Sequence, residues 1–253
     1  MLWPPLARFV SEQVETEKYS DAITYVGLSA SVGTIFVYLF VPVVLKFTVW
    51  RNVFRCMSVF GLIMVMIWYF ATKNIHMGKA NSIVKNPKNK SISVGGLIAL
   101  AGLIPIFITI ALQGVLRDGI QTWLPSLINA QFGISESSSI LSTALLPVIS
   151  MVSVLTANAI YHKIGNEIKT ATIMFLIAFV ATLPMGLGLK IPAIIMVLSA
   201  SLISGCMHGV NHMFISLIPK NFTNYGMVST FSGILNAFTY IGASISTYGF
   251  AAI

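Results

Sequence analysis

Leu97–Leu116 reads LIALAGLIPIFITIALQGVL, twenty residues in which only Thr109 and Gln113 carry polar side chains. A helix rises about 1.5 Å per residue, so this run alone covers the roughly 30 Å hydrocarbon core of a bilayer. The apolar pattern continues past Arg117 and Asp118 through Ile120, Trp123, Leu124, Leu127 and Ile128, which predicts one long span near 97–128. Comparable runs predict full spans near 22–45, 51–72, 137–161, 168–189, 191–217 and 226–253. Residues 1–11 look like the end of a helix, too short to cross. The expected fold class is an all-α polytopic membrane protein with seven full spans and a stub. A transmembrane barrel would instead show short alternating strands.

The composition of the 253 residues excludes other classes. Charged residues make up 9%, against roughly 25% in an average soluble domain. Hydrophobic residues make up 56% and mean hydropathy is +0.87. That excludes a soluble single-core domain, a disordered tail, a collagen and a disulfide scaffold. The net charge of +8 does not indicate nucleic acid, because the basic residues are scattered between apolar runs. Cys56 and Cys206 both lie within apolar runs and read as buried thiols. Met1-Leu2-Trp3-Pro4-Pro5 lacks the charged start of a signal peptide.

The longest polar stretch holds Lys73, Lys79, Lys85, Lys88 and Lys90 and no acid. It divides the chain into residues 1–72, a basic linker at 73–96, and a second helical group at 97–253. The linker is either a solvated tether or a binder of anionic headgroups. Counting Lys and Arg on alternating sides collects Arg8, Lys18, the five linker lysines, Lys163, Lys169 and Lys220 on one side. Lys46, Arg51, Arg55 and Lys190 fall on the other. The richer side is expected to be cytoplasmic.

Polar residues within the spans recur at helical spacing. Thr109, Gln113, Arg117 and Gln121 share one face. Gly27, Ser31, Thr34 and Tyr38 line another, as do Ser201, Ser204, His208 and Asn211. Ser229, Ser232, Asn236, Tyr240 and Thr247 form a fourth stripe. Ser139, Ser142, Thr143, Ser150 and Ser153 fall on overlapping faces of a fifth. One such stripe has a ready explanation in close helix packing. Five together predict a shared polar cavity, because lipid cannot satisfy those groups.

Arg117 is the leading candidate. Near the bilayer centre it would mark a functional pathway; near the outer interface it would snorkel. Asp118 lies about 100° further around the helix, so the two are not expected to face each other. Asp118 is open to a structural or a coupling role. His208 and His212 stand at i and i+4, a spacing that can chelate metal, but no third ligand is evident and no metal or cofactor is expected. Pro42, Pro105, Pro147 and Gly205 are expected to mark bends.

Leu116-Arg117-Asp118-Gly119-Ile120-Gln121-Thr122-Trp123-Leu124-Pro125-Ser126-Leu127 resembles the seventh-helix segment of the organophosphate:phosphate antiporters, within the major facilitator superfamily. Trp3-Pro4-Pro5 with Arg8, Ser31-Val32-Gly33 and Ile218-Pro219-Lys220 resemble other segments of the same family. The resemblance implies a chain running from late helix four through helix eleven, part of a larger twelve-helix protein and not expected to transport alone. It implies two helical halves that meet at the linker and rock against each other, in the plasma membrane of a bacterium (its inner membrane). It also implies that Arg117 is one of two arginines that clamp phosphate, the other lying upstream. Three positions depart from the family pattern. A helix-five histidine aligns with Ala30, a helix-seven tyrosine with Gly114, and an acidic loop position with His162.

The expected function is secondary transport of a small polar, anionic solute, an organophosphate or sugar phosphate exchanged for phosphate. The expected substrate-binding residues are Arg117, Gln113, Gln121, His208, Asn211, Asn236, Tyr240 and Tyr38. The expected partners are a phosphate-bearing solute and the lipid bilayer, with no nucleic acid, in a monomer. The alternatives are a permease for a non-phosphate solute and a non-transporting remnant or sensor. An intramembrane enzyme is disfavoured. Ser204-Gly205 and Ser232-Gly233 lack the glycine of a rhomboid-type Gly-x-Ser-Gly, Asp118 is a lone intramembrane acid, and His-Glu-x-x-His is absent.

Overall fold

The computed structural model describes residues 3–15, 17–73, 103–134, 142–187 and 191–251. Beyond Lys73, the basic linker lies outside them, as do Ser139 and the first residues of the spans predicted at 97–128 and 137–161. The helices are α1 (Trp3–Gln13), α2 (Tyr19–Phe47), α3 (Trp50–Thr72), α4 (Leu103–Phe132), α5 (Leu145–Ile164), α6 (Glu167–Gly186), α7 (Ala193–Asn211) and α8 (Val228–Ala251). Between α7 and α8 the chain passes through a π-helical turn, His212–Leu217, and a 3-10 helix, Ile218–Tyr225. No strand occurs among the described residues. The fold is all-α.

Among the described residues, six helical stretches are long and apolar enough to cross a membrane. The seventh expected span, now α8, has the length but falls outside that set. Its Ser, Thr, Asn and Tyr residues dilute an otherwise apolar sequence. Elsewhere apolar side chains remain on the outside of the bundle. On α3, Leu62, Val65, Trp68 and Phe70 are all more than half exposed, as a lipid-facing surface requires. This is a multi-pass membrane protein.

Local chemistry explains the break between α5 and α6. Gly165 closes α5 in the left-handed region (φ 67°), with its N–H donated to the Tyr161 carbonyl at 2.7 Å. Glycine enters that region without the Cβ clash other residues meet. Asn166 then caps α6, its Oδ1 accepting the Lys169 N–H at 2.9 Å. Gly165 thus forms a tight turn whose shape glycine permits.

Close packing, with no hydrophobic drive from lipid, holds the bundle. α4 lies against α8 so closely that a Cβ on Gly114 would overlap the Thr239 carbonyl. A Cβ on Gly242 would overlap the Ala111 carbonyl in turn. Gly114 is therefore a contact point between backbones, with no room for the tyrosine of the family pattern. On α7, Gly205 faces Ser153 and Ile149 of α5, and Gly209 faces Ala157 and Met174. Gly205, expected to mark a bend, instead sits in regular helix and lets α5 approach. The departure from α-helix comes seven residues later, at the π turn. Around these contacts lies an apolar core that includes Ile110, Met207, Met213 and Leu235. Phe107 of α4 stacks on Phe238 of α8 at 4.7 Å.

Candidate functional site

The polar stripes divide along their lengths into a packing part and a cavity part. Part of their length is consumed by helix contacts. Ser232 Oγ donates to the Ile215 carbonyl at 3.1 Å, and Ser201 and Ser204 are fully buried. Gln113 belongs to this group. It is fully buried and donates from Nε2 to the Met207 carbonyl at 3.0 Å, joining α4 to α7. It is absent from the cavity wall, because its helical face points into the α4–α7 contact one turn before Arg117.

The other part encloses a cavity of about 350 Å³. Tyr38 with Ser31 and Thr34 comes from α2, and Arg117 and Gln121 from α4. Ser150 comes from α5, His208 and Asn211 from α7, and Asn236 and Tyr240 from α8. Seven of the eight expected residues thus meet at one site. Spacing could not identify the other lining residues: Trp3 on α1, Leu146, Pro147 and Val154 on α5, and His212, Ile215 and Ser216 on the π turn. Trp3 sat in the short stub, and the apolar members belong to no polar stripe.

Arg117 lies at the midpoint of described α4, with its side chain 14% exposed. The helix continues well beyond it in both directions, which fits the cavity better than the interface. Its Nε donates to Asp118 Oδ1 and its Nη2 to Asp118 Oδ2, each at 2.9 Å. This corrects the expectation that the pair do not face each other. A 100° step separates the two Cβ atoms, but the long arginine stem folds back and brings its fork onto the neighbouring carboxylate. Nη1 takes no part in the pair.

The two histidines have different duties. His208 Nδ1 lies 3.0 Å from the Ser204 carbonyl and 3.2 Å from Ser150 Oγ, on α5. His212 is buried, and its Nε2 lies 2.8 Å from Thr24 Oγ1, on α2. They do not converge on a point between them, and among the described residues no three metal-ligating side chains cluster. Asn211 lines the cavity with its Oδ1 unpartnered, and Trp3 does so with its indole N–H unpartnered. A buried polar atom left this way costs about 1–3 kcal/mol.

Outside the cavity wall a polar cluster ties α2 to α5 and to the π turn. Asp21 Oδ1 accepts from Asn158 Nδ2 at 2.8 Å and lies 2.8 Å from His162 Nε2. Ser20 donates to Asn158 Oδ1 at 2.5 Å, and Tyr19 donates to the Ser216 carbonyl at 2.8 Å. Lys220 sits 5.4 Å above the Tyr19 ring. His162, at the position acidic in the family pattern, thus meets the acid on the opposite helix. Lys18, Lys163 and Lys220, which the charge count placed on one side, belong to segments that meet at this cluster.

The arrangement suits reversible binding. It supplies a guanidinium, amides, hydroxyls and imidazoles around one space between helices. No curated protein and no solved structure matches the chain significantly. The family model described as Major Facilitator Superfamily matches residues 1–247. With that match over nearly its whole length, apolar helices of spanning length and a central polar cavity, the chain belongs to the Major Facilitator Superfamily, a family of secondary transporters of small solutes.

Proposed function

We propose that this transporter carries a small polar, anionic solute, an organophosphate or sugar phosphate exchanged for inorganic phosphate. The helices before and after the basic linker would act as two halves that rock about the cavity. The observation that carries the reading is Arg117, a planar cation at mid-helix on the cavity wall. A guanidinium fork matches phosphate through paired charge-assisted hydrogen bonds. Asn211 and Trp3 stand on the same wall. Gln121, Asn236, Tyr38, Tyr240 and His208 complete the wall.

Counterflow tests this. The full-length protein is reconstituted in liposomes loaded with inorganic phosphate, and uptake of labelled glycerol 3-phosphate is followed. Uptake that requires internal phosphate is expected, with Arg117→Ala near the protein-free background. Uptake indifferent to internal phosphate would end the exchange reading. A permease for a non-phosphate solute is the second reading. The bidentate Asp118 favours it, because the Arg117–Asp118 pair presents no net charge. That reading predicts no glycerol 3-phosphate uptake and uptake of an uncharged polyol instead.

A further inference from the structure

Arg117 already holds an anion. Its Nε and Nη2 meet the two carboxylate oxygens of Asp118 at 2.9 Å each, the fork-to-fork geometry in which guanidinium also binds phosphate. The side chains are 14% and 23% exposed, so the pair is largely withdrawn from water. Adjacency in the chain keeps the carboxylate at high effective concentration whatever the helices around it do. Among the described residues no Asp or Glu is part of the cavity wall itself, so Asp118 supplies the local counter-charge.

The consequence concerns which anions gain by entering, and it rests on the reading that Arg117 binds the solute. A simple carboxylate offers Arg117 two oxygens and one negative charge, which Asp118 already provides. A phosphate monoester offers three oxygens and a charge approaching two near neutral pH. Only the second improves on the resident ligand. We propose that Asp118 sets an affinity threshold for the site, as an internal competitor that the solute's anionic group must displace from Arg117. The displacement costs every anion the same factor, so a phosphate ester with its stronger contact still binds while a monocarboxylate of the same size falls below the threshold.

The test is equilibrium binding of glycerol 3-phosphate and of glycerate to the purified full-length protein. Wild type is compared with Asp118→Asn and Arg117→Ala. Removing the competing charge is expected to tighten glycerate by about tenfold or more, the equivalent of one charge-assisted hydrogen bond. Glycerol 3-phosphate should tighten by a similar or larger factor, because both anions break the same ion pair on entry. A residue that merely props the helix would give the opposite sign, weaker binding of both. Weaker or unchanged binding of both anions overturns the proposal while leaving Arg117 as the anion ligand. Equal binding by wild type and Arg117→Ala overturns the reading beneath it as well. Should the asparagine variant fail to fold, Asp118→Ser removes the charge without asking an amide to fit and is read the same way.

Discussion

Arg117 carries the functional account, and its geometry can be tested apart from its charge. Lysine keeps the cation but loses the planar fork. Arg117→Lys is therefore expected to retain a folded protein while glycerol 3-phosphate affinity falls by roughly tenfold or more. Isothermal titration in detergent would read this, and unchanged affinity would show that only a point charge matters. Sequence reading found Arg117 because charge inside an apolar run is conspicuous. It missed the pairing with Asp118 because helical angles describe Cβ directions and not where a long side chain ends. Gln113 shows the converse limit. It shares the Arg117 stripe, but the Met207 carbonyl of α7 takes its amide first. Periodicity names a face and cannot say where packing ends and the cavity begins.

At the scale of the helix, contact distances make sharper predictions than composition does. Gly114 touches the Thr239 backbone, so Gly114→Val must push α4 and α8 apart. A cost of about 1–3 kcal/mol is expected, read as a lower melting temperature in detergent. A melting curve unchanged from wild type would contradict the packing. Asn166 caps α6 at an exposed turn, and Asn166→Ala is expected to cost about 1 kcal/mol by the same measurement, leaving solute binding intact. The spans were legible in the sequence because runs near twenty apolar residues have few other uses. The π turn at His212–Leu217 was not. It depends on tertiary contacts, including His212 with Thr24 and Ser216 with Tyr19, from a helix nearly two hundred positions earlier in the chain.

At the scale of the molecule, the cavity matters only if its access changes. The cluster of Asp21, Asn158, His162 and Ser20 holds α2 to α5. Removing the shared acceptor by Asp21→Ala breaks two of its contacts together. Hydrogen exchange in peptides covering 19–24 and 158–166 is expected to quicken relative to wild type, with α3 peptides unchanged. Equal protection in both proteins would show that the cluster does not latch the two helices. Sequence reading grouped these segments through charge alone. It could not foresee the latch, because Asp21 and His162 are far apart in the chain and ordinary in isolation.

The most direct measurement is binding of glycerol 3-phosphate to the full-length protein in liposomes, with inorganic phosphate as competitor and Arg117→Ala alongside. The account predicts saturable binding that phosphate displaces and that the alanine variant lacks. Binding of equal strength in the two proteins would contradict it and place the solute's anionic group, if it has one, away from Arg117.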